Sequence, residues 1–313
     1  MKNIGIVFTS RNNYELLDNW MKKVNTEDFF ILNIDEDSTE ENKELGKKIC
    51  KKHNILYKDR DKRGMQFNML TAGDILKEKN IDWILWFQHD SYPKTDKFFS
   101  KLNSYIGNND LSSFGAIGFN ILHDYNDIKD WDGDNTPLRV TARTPLEKGD
   151  NYYRYHEYWP NTRVRYNEEF SKPFAVESIM WATALVNIDQ YKKYIEPTSD
   201  YHFFHAWDDI CFQFLYNNVY NICLPQFCLA HEQESKVKFG IPKSSPNGDP
   251  NKREHFFSKW GHLDVWKERW GFAWDYPESI KDFEIVKDNY KNTIIEEFVN
   301  HDPLNGPLKN FNI

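Results

Sequence analysis

The chain has 313 residues, of which 40% are apolar and 28% charged, and a formal net charge of −8 at pH 7. This apolar content is enough for one large α/β domain or two fused lobes, which excludes a wholly disordered chain. The negative charge argues against a nucleic-acid-binding surface. No apolar run approaches the roughly 18 residues that a membrane helix needs.

Two further features concern the compartment and the class of ligand. The first residues enter a strand pattern without a signal peptide. The four cysteines form no Cys-x-x-Cys pair, as is typical of buried thiols in a reducing compartment. We therefore expect a cytoplasmic protein. Aromatic residues make up 16% of the chain. Their faces can stack on sugar rings, which fits a carbohydrate enzyme, although drift in composition is the simpler explanation of the total.

The first 120 residues alternate apolar runs with stripes at helical spacing. The runs predict strands at 4–8, 29–34, 55–57 and 83–87, and the stripes predict helices between them. A capping box, Ser38-Thr39-Glu40-Glu41, indicates where the second helix begins. Repeated βα units favour an α/β fold with a Rossmann-like, mostly parallel sheet and flanking helices. Ligands bind beyond the carboxyl ends of the strands in such sheets.

Polar clusters follow three of these strands: Thr9-Ser10-Arg11, Asp35-Glu36-Asp37-Ser38 and Gln88-His89-Asp90. Carboxylates of the second cluster can accept the N3–H of a uracil or the ribose hydroxyls. Alternatively they form an acidic helix start, which the helix dipole favours. In the third cluster Asp90 is the hard oxygen ligand that a divalent cation on a diphosphate prefers, with His89 as a borderline ligand. The alternative there is a polar turn before a helix that follows Pro93.

The second half of the chain is less regular. A loop-rich insertion at 121–173 precedes a strand at 181–186 and a helix from Trp207. That helix opens with Asp208 and Asp209, and one of them can cap it while the other serves as a general base. A further strand leads to His231, which indicates little by itself.

These motifs resemble the family-2 glycosyltransferases of GT-A fold, beginning with the nucleotide-binding half. The family's Asp-Asp-Gly-Ser-Thr-Asp run is matched by residues 35–40. Its Gly and Asn, four apart before a helix, are matched by Gly64 and Asn68. Its Asp-x-Asp-like motif with a following proline is matched by residues 88–90 and Pro93.

The resemblance continues to about residue 262. The family's catalytic Glu-Asp pair, its proline and its His are matched in order by Asp208-Asp209, Pro225 and His231. Residues 255–261 are similar to its aromatic-x-x-Lys-Trp-Gly segment. The Gln-x-x-Arg-Trp motif of processive synthases is absent from the sequence, so a non-processive enzyme is expected.

The resemblance implies a GT-A domain at 1–235, composed of a nucleotide-binding half at 1–120, the insertion at 121–173 and an acceptor and catalytic half at 174–235. A C-terminal extension follows at 236–313. It also implies a nucleotide-diphosphate sugar (UDP, GDP or dTDP), a Mn²⁺ or Mg²⁺ ion, and transfer of one sugar with inversion to a hydroxyl of a glycan or other acceptor.

The same resemblance implies roles for individual residues. Asp209 is the expected general base, with Asp208 oriented toward the acceptor or the helix cap, and Asp90 and His231 are the expected metal ligands. Contacts to the nucleotide sugar are expected from Thr9, Ser10, Arg11, Asp35, Glu36, Asp37, Arg63, Asn68, Gln88 and His89. Contacts to the acceptor are expected from Tyr155, Trp159, Trp181 and Trp207.

Two alternatives remain at this stage. Gln88 stands where the family has the first acidic residue of its metal motif, which favours a catalytically inactive binding protein for sugars or nucleotide sugars. The carboxylates at 90, 208 and 209 together argue against that alternative. A sugar nucleotidyltransferase typically needs a glycine-rich phosphate loop after the first strand, and residues 9–13 contain no glycine.

Overall fold

The computed structural model describes residues 3–26, 29–61, 64–122, 137–138, 142–143, 164–165, 174–176, 178–179, 183–199, 206–217 and 219–231. Its first part alternates strands and helices: β1 (Ile4–Ser10), α1 (Tyr14–Lys23), β2 (Phe30–Glu36), α2 (Glu40–Lys52), β3 (Leu56–Arg60), α3 (Met65–Lys77) and β4 (Trp83–Phe87). Next come β5 (Ser91–Pro93), α4 (Phe98–Asn108) and β6 (Phe114–Leu122).

Short strands and two helices make up the remainder of the described chain. The strands are β7 (Pro137–Leu138), β8 (Ala142–Arg143), β9 (Val164–Arg165), β10 (Phe174–Val176), β11 (Ser178–Ile179) and β12 (Thr183–Asn187). They are followed by α5 (Ile188–Tyr194), α6 (Ala206–Tyr216) and β13 (Tyr220–His231). In the part of the chain that the structure describes, no helix has both the length and the apolar character to cross a membrane.

A nine-stranded sheet has the order β10-β13-β6-β12-β4-β1-β2-β3, with β5 beside β13. The run β3-β2-β1-β4 is parallel, as the βα alternation predicts. Beyond it, β12 lies antiparallel between β4 and β6, and β13 is parallel to β6. The carboxyl ends of β1, β2 and β4 therefore lie at one edge, and the polar clusters after them are neighbours.

Strands β1, β2 and β4 are buried on both faces almost throughout, which explains their apolar runs, whereas β3 at the end of the sheet is largely exposed. On one face, aromatic rings pack edge to face: Phe8 lies 4.8 Å from Trp20, and Trp20 lies 5.3 Å from Phe87, between ring centroids. Helix α2 begins as predicted, but its cap is Thr39, whose side chain accepts from the backbone N–H of Asn42. The cap thus lies one residue later than the box that begins at Ser38, and the backbone N–H that it satisfies belongs to Asn42 and not to Glu41.

A close approach of α1 and α2 depends on Gly46. A Cβ added there would lie 2.4 Å from the ring of Tyr14, which is fully buried. The Tyr14 hydroxyl donates a hydrogen bond to Asp35 at the end of β2. The glycine therefore lets α2 pack against the tyrosine that holds the polar end of β2.

We predict that Gly46→Ala destabilises the protein by about 1–3 kcal/mol, because the ring of Tyr14 has no room to move without losing its bond to Asp35. Urea denaturation measures this. Gly107→Ala is the matched control, since a Cβ at that position in α4 meets nothing within 4 Å. That change should stabilise by up to about 1 kcal/mol through helix propensity. Equal effects of the two substitutions would contradict the packing argument.

Candidate functional site

At the carboxyl edge, a buried hydrogen-bond network joins the ends of β1 and β4. The Nδ1 atom of His89 lies 3.3 Å from the side-chain nitrogen of Asn13, and its Nε2 atom lies 2.9 Å from the Ser10 hydroxyl. Ser10 in turn donates to Oδ1 of Asn33 at 2.6 Å. Because the Asn13 amide can only donate, Nδ1 is the acceptor and Nε2 carries the hydrogen.

His89 is therefore neutral and occupied on both ring nitrogens. Its burial lowers the pKa of the imidazole to about 4, although Asp90 acts in the opposite direction. The ring also packs on Phe8, with 5.4 Å between centroids. These contacts hold the ends of β1 and β4 together, and they leave neither nitrogen free to bind a metal ion.

The acidic run after β2 divides between the two faces of the sheet, because successive strand residues point to opposite sides. Asp35 is fully buried, and it accepts from the Tyr14 hydroxyl and, at 3.0 Å, from the backbone N–H of Ser38. Glu36 is partly exposed. Asp37 is exposed, and its φ of 58° is in the left-handed region. Asp35 thus shapes the turn, while Glu36 and Asp37 retain surface that is exposed to solvent.

The Gly64 and Asn68 motif has a physical explanation in its contacts with Glu36. This carboxylate accepts from the Gly64 backbone N–H at 2.6 Å and from the Asn68 amide at 3.1 Å. The two residues are one helical turn apart at the start of α3, where Gly64 has a φ of 133° that only glycine adopts readily. Burial raises the pKa of Glu36, and these two hydrogen bonds oppose the effect.

Arg60 is a member of this cluster that sequence reasoning missed. From the end of β3, its Nη1 donates to the side-chain oxygen of Asn68 and to the carbonyl of Gly64. Its guanidinium lies 5.3 Å from the centroid of the Phe67 ring. An arginine at the carboxyl end of a strand was the available signal. Arg63, the arginine that the sequence favoured, lies outside the described residues.

The end of β1 and the loop after it carry polar atoms that the protein itself does not satisfy. The hydroxyl of Thr9 and Nε of Arg11 are buried and have no hydrogen-bond partner. The same loop is tied to the turn after β2, because the backbone N–H of Asn12 donates to the Ser38 hydroxyl at 3.0 Å. Since buried polar groups are usually paired, the two atoms fit contacts to a bound molecule.

Beside Asp90, the end of β13 pairs with the short strand β5. The backbone N–H of Ser91 donates to the carbonyl of Gln88 at 3.1 Å, so residues 88–91 form a turn. In the adjoining strand pair of β5 and β13, Ser91 lies opposite His231. Position 231 is thereby one residue from Asp90, whose side chain is 8% exposed. The fold thus brings together the two residues that the sequence singled out as metal ligands, although 141 positions separate them in the chain.

A carboxylate and an imidazole suit a borderline or hard divalent cation bound mainly through a ligand's phosphates. Within the described ranges, no group of three or more His, Cys, Asp and Glu side chains is arranged to hold a metal ion.

Helix α6 carries the pair Asp208 and Asp209 in its first turn. Asp209 is fully buried, and its Oδ2 accepts from the side-chain amides of Gln66 at 2.6 Å and Gln213 at 2.8 Å. This differs from the expectation of a base that faces an open cleft.

The expected acceptor residues are only partly within the described chain. Trp207 is 3% exposed and packs edge to face against Trp86, with 6.3 Å between ring centroids. It therefore belongs to the core between α6 and the sheet, where it has no open face for a sugar. Tyr155, Trp159 and Trp181 lie outside the described residues.

No protein-family model matches the sequence, and no curated protein does. Two solved structures are similar in fold. A crystal structure of GalNAc-T7 with UDP, GalNAc and Mn²⁺ matches with a TM-score of 0.51 and 8% identity, over 96% of this chain and 56% of the other. The mannosyltransferase PcManGT from Pyrobaculum calidifontis, in complex with GDP-Man and Mn²⁺, matches with a TM-score of 0.50 and 12% identity, over 93% of this chain and 70% of the other.

This chain thus spans little more than half the length of the first of these structures. At such low identity the comparison concerns the fold, and it confirms the GT-A fold class expected from the sequence. The features of this chain that bear on its function are the order of the sheet and the polar residues at its carboxyl edge.

The buried His89 predicts a specific loss of stability in acid. Above about pH 6.5 the ring is neutral in both the folded and the unfolded state. Between about pH 6.5 and pH 4 the ring is protonated in the unfolded state and stays neutral in the folded state, which favours unfolding. Stability therefore falls as the pH falls, by on the order of 3 kcal/mol from this group. Urea titrations at several pH values should show that His89→Gln lacks this part of the decline. Parallel pH curves for the two proteins would contradict the assignment.

Proposed function

We propose that this chain is a metal-dependent glycosyltransferase of the family-2 type, which moves one sugar from a nucleotide-diphosphate sugar to a hydroxyl of a glycan or other acceptor. The observation that carries the proposal is that the pairing of β5 with β13 brings position 231 next to Asp90. This happens at the edge of the sheet where the polar clusters of β1 and β2 also lie. This edge is where open α/β sheets bind nucleotides. The two solved structures of similar fold are both described with a nucleotide and Mn²⁺.

The nucleotide part of the donor is assigned to the ends of β1 and β2. The unpaired hydroxyl of Thr9 and Nε–H of Arg11 would donate to donor oxygens. Glu36 and the exposed Asp37 would accept from the base or the ribose hydroxyls. Ser10, Asp35 and His89 would hold these residues in place without contacting the donor, because their polar atoms form hydrogen bonds within the protein. UDP, GDP and dTDP all remain candidate nucleotides.

Asp90 and His231 would hold a Mn²⁺ or Mg²⁺ ion. When bound, such an ion neutralises the negative charge that develops on the leaving diphosphate. Gln88 lies in the same turn and can offer its amide to a phosphate oxygen or to a water. A site with two protein ligands depends on the diphosphate for the rest, so ion binding and nucleotide binding are expected to be coupled.

The carboxylate pair on α6 would supply the general base. For inversion, a carboxylate must take the proton of the acceptor hydroxyl while that oxygen attacks the anomeric carbon opposite the diphosphate. The pair lies beside α3, whose first turn also carries the glycine and asparagine that contact Glu36. On this proposal the donor and acceptor sites would lie close together, on either side of the contact between α3 and α6.

We predict that Asp90→Ala weakens Mn²⁺-dependent nucleotide binding by at least about tenfold, because the substitution removes one of only two protein ligands. Isothermal titration calorimetry with UDP, GDP and dTDP, with and without Mn²⁺, measures the affinity. Hydrolysis of the corresponding donor should be lost as well. Asp110→Ala is the matched control, since that exposed carboxylate accepts a local hydrogen bond from the Ser112 hydroxyl at 2.6 Å, and this variant should bind the nucleotide as the wild type does.

Unchanged nucleotide affinity in Asp90→Ala would overturn the metal assignment. Donor binding by the wild type without any hydrolysis or transfer, with or without Mn²⁺, would instead favour a binding protein that lacks catalysis.

A further inference from the structure

A buried polar cluster joins α6 to its neighbours through Asp209, Gln66 and Gln213. Besides donating to Asp209, the Gln66 amide donates to the carbonyl of Ala206 at 3.2 Å, and its oxygen accepts from the backbone N–H of Thr198 at 2.8 Å. Gln66 is fully buried. One side chain of α3 thus contacts the first turn of α6 and the segment before it.

Gln213 completes the cluster from within α6. It is one turn after Asp209, to which it donates, and its oxygen accepts from the backbone N–H of Glu196 at 2.7 Å. The hydroxyl of the fully buried Tyr191 donates to the carbonyl of Gln66 at 2.7 Å. The cluster therefore fixes the first turn of α6 against α3 and the segment 196–198.

The geometry is unsuited to proton transfer by Asp209. A general base needs its oxygen within hydrogen-bond reach of the hydroxyl that it deprotonates. Oδ2 of Asp209 already accepts two amide hydrogens, and the residue has no exposed surface. An acceptor hydroxyl could approach this oxygen only by displacing one of the glutamines, which would leave a buried amide unpaired.

We propose that Asp209 is a positioning residue, clamped by Gln66 and Gln213 so that the first turn of α6 presents position 208 to the acceptor, and that Asp208 is the proton acceptor. This inference rests on the proposed glycosyl transfer. It reverses the order of roles that the sequence motif implies. The position of this turn matters for the rate, since a misplacement of a catalytic group by about 1 Å can cost about a hundredfold.

The test is the pH dependence of kcat for donor hydrolysis or transfer in the full-length enzyme. A carboxylate base gives a kcat that falls in acid as the base is protonated. Asp208→Asn should lower kcat by roughly 10²–10⁴-fold and abolish this acid limb. Asp209→Asn and Gln213→Met should each lower kcat by about tenfold or more and retain the acid limb, while the affinity for the donor nucleotide stays within about twofold of the wild type.

Gln190→Met is the matched control for the loss of a glutamine amide. Gln190 lies on α5 and donates to the carbonyl of Ser112 at 2.7 Å, away from the cluster, so kcat and its pH profile should match those of the wild type. If Asp209→Asn does not fold, Gln213→Met decides: a lower kcat with the acid limb kept supports the proposal, and a wild-type kcat overturns it.

Loss of the acid limb in Asp209→Asn, with the limb kept in Asp208→Asn, would make Asp209 the base and overturn this inference alone. A wild-type enzyme that neither hydrolyses nor transfers from any nucleotide sugar would overturn the proposed function, and this inference with it.

Discussion

The organisation of this protein depends on one constraint: polar groups that terminate buried parallel strands must find partners at the edge where the strands end. In β1, β2 and β4 apolar side chains fill most of each strand on both faces, and the buried polar side chains, such as Asn33 and Asp35, lie in the second half of a strand or in the turn after it. Asp35 is the central example. Its carboxylate has no exposure, and hydrogen bonds from Tyr14 and from the backbone of Ser38 compensate for its burial. Without those partners the turn after β2 would have to open to water.

The same requirement separates supporting residues from residues that are available to a ligand. Ser10 and His89 are buried and satisfied by one another and by their neighbours. Thr9 and Arg11, on either side of Ser10, retain buried atoms without partners. Alternation along each strand produces this division, because adjacent residues point to opposite faces. A polar cluster at a strand end therefore contains two sets of side chains. One set forms hydrogen bonds within the protein and stabilises the edge of the sheet, and the other has polar atoms that can bind a ligand.

The sequence predicted the parallel half of the sheet well, because continuous apolar runs and helical stripes are local signals. It placed the ends of β1, β2 and β4 within two residues, and it singled out Gly64 and Asn68 by motif order, but not their contact with Glu36. It did not predict that β12 would lie antiparallel between β4 and β6, since strand pairing between distant segments leaves no local signal. Nor did it separate Asp208 from Asp209 or find Gln66, because burial of one carboxylate depends on amides that are 143 and 4 residues away.

The central claim is that a nucleotide sugar and a divalent cation bind at the carboxyl edge of β1, β2 and β4. Hydrogen–deuterium exchange of the wild type, with and without Mn²⁺ and each of the UDP-, GDP- and dTDP-sugars, tests it most directly. The account predicts slower exchange of the backbone amides of Asn12, Ser38 and Ser91 with one class of donor, and a smaller effect when Mn²⁺ is left out. Protection confined to α1 and α2 on the flank of the sheet, or no protection with any donor, would contradict it.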